Sequence, residues 1–146
     1  MKKFVIFFAA AVLLMGFSGC SHMFYPRADD FAEKAKGAST VETLLNLTTM
    51  MEASAQASKG GTGKDQPLDD LHNQLHAFNN TLCCVEEDKR KTPDYDLAVT
   101  HNKELWTIFK RLWKFKDTQP QRDSHLDLFM TELRELRTTL EALKTY

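Results

Sequence analysis

"DQPLDDLHNQLHAFNNTL", residues 65–82, decides the fold class. Leu68, Leu71, Leu75, Phe78 and Leu82 recur at steps of three and four, which marks one face of an α-helix and not the two-residue alternation of a strand. A 3,4 seam of this kind is apolar where it meets other helices and polar elsewhere. Its start is marked as well. Asp65 suits an N-cap, and Pro67 suits a first turn, where a missing N–H costs no hydrogen bond.

The same stepping returns on both sides. After the charged stretch "EEDKRKTPDYD", Thr92-Pro93-Asp94 opens a helix with the seam Ala98, His101, Leu105, Ile108, Leu112 and Phe115. After "DTQPQRDS", Ser124 is expected to cap a helix carrying Leu126, Phe129, Leu133, Leu136, Leu140 and Leu143. Upstream, "STVE" makes a capping box of Ser39 and Glu42, and Val41, Leu44, Thr48, Met51 and Ala55 form the stripe behind it. Four helices of similar length with short loops predict an all-α, up-down-up-down four-helix bundle over residues 39–146. In the break "SKGGTGKDQP" (58–67), Gly63-Lys64 echoes the end of a phosphate-binding loop. Ser58 stands where that motif needs glycine, Asp65 where it needs Ser or Thr, and no strand precedes it. A flexible inter-helix loop is the expectation.

The amino end has another character. In "MKKFVIFFAAAVLLMGFSGC", two lysines precede an unbroken apolar run, and small residues precede Cys20. That order describes a secretory signal, too short for a membrane span of roughly 20 apolar residues. With "FSGC" at its end, Phe17 standing where leucine is more usual, the segment resembles a bacterial lipoprotein signal. The resemblance covers residues 1–20 only. It implies cleavage before Cys20, a thioether-linked diacylglycerol on that sulfur and acylation of the new amino terminus. In a diderm cell Ser21, not being aspartate, implies the outer membrane facing the periplasm. Two or three acyl chains hold stably, since each buried methylene contributes about 0.8 kcal/mol. The expected organisation is a signal peptide (1–19), a lipidated tether (20–38) and the bundle (39–146). Pro26 should discourage regular structure in "SHMFYPRADD", and Asp29 can cap a short helix over "DFAEKAK".

Losing Lys2 and Lys3 takes the formal charge from −1 to −3, so nothing basic in bulk points to nucleic acid. No Ser/His/Asp set, paired-carboxylate signature or glycine-rich catalytic turn is present, and no catalytic activity or obligatory cofactor is expected.

Three groups of residues carry the remaining chemistry. His72 and His76 stand one helical turn apart, with Asn79 and Cys83 on the same stripe. That row, with Met50 or Met51 nearby, has donors for zinc or copper, or it is a polar flank; no Glu follows His72, so a metalloprotease motif is excluded. His101, in the seam, is either a hydrogen-bonded core histidine or, with a methionine, an axial haem ligand; no C-x-x-C-H motif accompanies it.

Cys83 and Cys84 are adjacent. A vicinal disulfide needs the helix to end there, since successive Cα atoms lie about 3.8 Å apart. Such a bond would suit redox sensing; pairing between chains and inert thiols are the alternatives. Finally, Trp106, Phe109 and Trp113 form a second apolar stripe, flanked by Lys110, Arg111 and Lys114. It serves core packing, or it is a contact surface for a protein partner or a membrane.

The leading functional expectation is a membrane-anchored envelope lipoprotein acting as a helical binding or scaffolding module, its unidentified partner a protein of the cell envelope. A periplasmic metal or cofactor carrier using His72, His76, Cys83 and His101 is the alternative. A redox-responsive protein using Cys83 and Cys84 is the third.

Overall fold

The computed structural model describes residues 26–146; the apolar leader, Cys20 and residues 21–25 lie outside the described residues. Those described form five α-helices and no strand: α1 (Pro26–Lys34), α2 (Thr40–Ser58), α3 (Gln66–Leu82), α4 (Pro93–Lys114) and α5 (Gln121–Lys144), with a 3₁₀ turn at Lys89–Lys91.

Local chemistry sets most of the helix starts. Ser39 accepts from the Glu42 N–H at 3.1 Å, and the Glu42 carboxylate reaches back to the Ala38 N–H at 2.8 Å, closing a capping box one residue wider than usual. Asp65 accepts from the Leu68 N–H at 2.9 Å, and Thr92 from the Tyr95 N–H at 3.3 Å, each just before a first-turn proline. Pro26 opens α1 instead of breaking it, because a first-turn proline gives up no intrahelical bond. Ser124 caps nothing: α5 starts at Gln121, and Ser124 lies exposed inside its first turns.

The heptad seams meet in one core. Leu68, Leu71, Leu75, Phe78 and Leu82 of α3 are buried, as are all six seam residues of α5. Val41, Leu44, Thr48, Met51 and Ala55 of α2 join them. In α4 Ala98, Leu105, Ile108 and Leu112 of the expected seam are buried and are joined by Asn102 and Phe109, whereas His101 and Phe115 sit at its edges. A helix with 3.6 residues per turn drifts against a strict 3,4 count, which accounts for this rotation. Helices α2 and α3 pack along each other, as do α4 and α5, and α2 also lies against α5. Helix α1 lies on α3 and contributes Ala28 and Phe31 to the core.

One end of the molecule is organised by a charge. Arg122 is fully buried, and its guanidinium donates to the Ser58 carbonyl (3.1 Å), the Gly63 carbonyl (2.7 Å), the Lys116 carbonyl (3.1 Å), the Ser58 hydroxyl and the Asp65 carboxylate. A guanidinium has five N–H groups, so none is wasted. The early start of α5 is what brings Arg122 inward. The glycine-rich loop is therefore wrapped around a cation and not left without tertiary contacts. Gly60 and Gly63 hold φ of 72° and 71°, and a Cβ on Gly61 would strike Asp65 and Arg122.

Candidate functional site

Helices α3 and α4 face each other across a wider seam than the α2–α3 and α4–α5 pairs, with few close backbone approaches. Rings fill it. His72 stacks on Phe109 with centroids 5.3 Å apart and planes 4° from parallel, and it meets Trp113 at 5.7 Å. His76 meets Trp106 edge-on at 4.7 Å. One turn further, Asn102 donates to the Asn79 side chain at 3.0 Å. As numbers rise along α3 the partners fall along α4, so the two helices are antiparallel. The histidine row and the aromatic stripe are thus the two walls of one seam.

Phe109 is buried, while Trp106 and Trp113 are half-buried and border a groove of about 370 Å³ together with His72, Phe109 and Lys110. That is the size and apolar-with-a-polar-edge character of small binding sites. Lys64 reaches the Trp113 ring, its Nζ 5.8 Å from the centroid, while pairing with Asp69 at 3.0 Å. Arg111 and Lys114 are exposed; the Lys114 ammonium turns to Phe115, away from the groove.

The two imidazoles approach through Nε2 atoms 3.2 Å apart, so one neutral ring donates to the other. Burial among rings disfavours the charged form of both. His72 is held below the usual histidine range by desolvation, with Asp69 opposing and Lys64 adding to the effect. His76 is pushed down to about 4, by desolvation first and by its neighbour His72 second. At neutral pH both rings are therefore uncharged.

The other predicted residues lie apart. Cys83 follows α3 as its C-cap, and Cys84 is exposed, its Sγ 3.5 Å from the Asn80 carbonyl, so the helix does end at the cysteine pair. Cys84 borders an open hollow of about 490 Å³ between the α1–α2 turn and the end of α3. Neither Cys83 nor His101 joins His72 and His76 in a set of metal donors. Among the described residues, three donors converge only at His101, Glu132 and Glu135, where His101 Nδ1 lies 2.6 Å from Glu132 Oε1. The two glutamates were not read from the sequence, since both lie on the polar side of α5.

No helix among the described residues is long and apolar enough to cross a membrane. No protein-family model matches the chain, nor does any curated protein or solved structure.

Proposed function

We propose that this chain is a lipid-anchored, non-catalytic binding module of the cell envelope, whose working surface is the aromatic groove between α3 and α4. In this reading residues 1–19 are a signal peptide, Cys20 is acylated, and α2 to α5 form an up-down-up-down four-helix bundle with α1 strapped along α3. The observation that carries it is the groove itself. Two half-buried tryptophans and a histidine surround an apolar floor, with a lysine at the edge, and aromatic side chains with nearby cations are the residues that dominate contact energies. Pairing within short-looped helices, and a common core built from all four seams, supports the bundle.

Two measurements test the proposal separately. Mass spectrometry of the protein from its native membrane should give an amino terminus at Cys20 carrying acyl mass; an intact precursor with a bare sulfur refutes the anchor. A pull-down from envelope extracts should lose its specific partner with Trp106→Ala and Trp113→Ala; retention of every partner by both variants refutes the groove.

A further inference from the structure

The flank between α4 and α5 holds a second cluster that the groove does not use. The side chains of His101 and Glu132 are only 13% and 16% exposed and meet across the helix pair. Glu135, one turn along α5 from Glu132, points its carboxylate at the same place: one donor atom from each of the three residues lies within 4.8 Å of the other two. Glu135 has no side-chain partner among the described residues. The arginines of its own helix are engaged elsewhere, Arg134 with Thr131 at 3.1 Å and Arg137 toward Glu52 at 3.9 Å. Carboxylates three residues apart on a helix repel. Here the pair faces an imidazole, with no Lys or Arg in ion-pair range of either among the described residues.

We propose that His101, Glu132 and Glu135 form a site for a first-row divalent cation, with zinc as the representative. One imidazole nitrogen and two carboxylate oxygens form a borderline-to-hard donor set, suited to Zn²⁺, Mn²⁺ or Fe²⁺ and poor for Cu⁺. Bonds of about 2.0–2.2 Å need donors roughly 3.3 Å apart. The His101–Glu132 pair is already close, and swinging the exposed Glu135 side chain completes the set. The cation would replace carboxylate repulsion with coordination and clip α4 to α5, leaving further positions to water. Ligation by residues from two helices makes binding a contribution to folding stability. The site is independent of the groove and of the anchor.

The test titrates the metal-stripped full chain with Zn²⁺ alone, following calorimetric stoichiometry and the thermal midpoint. One zinc per chain and a raised midpoint are expected. Glu135→Gln should weaken binding at least about tenfold, the smallest loss that removal of even an outer-shell partner brings. Its metal-free midpoint should equal or slightly exceed the parent's, since Glu135 is exposed and its neutralisation relieves the repulsion with Glu132. His72→Asn should keep the parental affinity. Absence of binding overturns the proposal, as does parental affinity in Glu135→Gln. Loss of binding in His72→Asn, with retention in Glu135→Gln, would move the ion to the α3 histidines and overturn it equally.

Discussion

The buried arginine at one end and the ring-filled seam between α3 and α4 solve the same problem in opposite ways. Both place polar side chains against apolar surroundings. Arg122 gathers five acceptors for its guanidinium, from Ser58 at the end of α2, from Gly63 and Lys116, and from the Asp65 carboxylate. His72 and His76 give up their charge and pack as if they were apolar rings, His72 stacked on Phe109 and His76 edge-on to Trp106. The first arrangement admits one geometry, because every acceptor is spoken for. The second tolerates change, because stacking is broad in angle and each ring has several neighbours. Rigidity and adaptability are thereby allotted to different regions, and the groove lies in the adaptable one.

Breaking the arginine knot should have the largest effect. Arg122→Ala leaves the Asp65 carboxylate without its cation and the Gly63 carbonyl without its donor, so it should lower stability by about 3 kcal/mol or more in urea denaturation. Arg122→Lys, with three rotatable donors in place of a five-donor fork, should recover only part of that loss. Substitutions in the seam should be gentler: Phe109→Leu preserves burial but removes the stack on His72, for an expected loss of about 1 kcal/mol. Similar losses at the two places would remove the contrast.

Acidity should separate the regions further. Both histidines have folded values below their unfolded one of about 6.5, so the unfolded chain binds more protons and stability rises with pH. The His76 contribution is present above about 6.5 and is lost as pH falls from that value toward about 4, and His72 acts in the same direction. Asp69 and Lys64 act on His72 in opposite senses, while Lys110 lines the same groove. The urea midpoint should fall between pH 7 and 5, and less steeply in His76→Gln; parallel pH profiles would refute the dry-imidazole account. Smallest of all, Lys110→Ala at the exposed groove edge should stay within about 0.5 kcal/mol of the parent in stability.

Much of this was legible in the sequence. The seams of α3 and α5 are written in leucines that only a buried helical face can use, and Asp65, Thr92 and Ser39 declare their caps by type and position. The histidine row and the tryptophan stripe were each visible, but as separate features. That they form one site depends on α3 and α4 being neighbours in a given register, which no single helix encodes. Arg122 was missed for a related reason. An arginine among "QPQRDS" looks like solvent-exposed loop until the distant glycine-rich loop wraps around it. The same blindness hid Glu132 and Glu135, whose significance comes entirely from a residue on another helix.

Helix α1 begins beside the arginine knot, because Arg27 grips Asp69 at 2.8 Å and Asp70 at 3.4 Å in the opening turn of α3. Were Cys20 acylated as proposed, the leash from lipid to Pro26 would extend at most about 20 Å. The molecule would hang from that pole, with the glycine-rich loop toward the headgroups and the cysteine pair facing away. A spin label at Thr62 should then report bilayer proximity, and one at Cys84 should not.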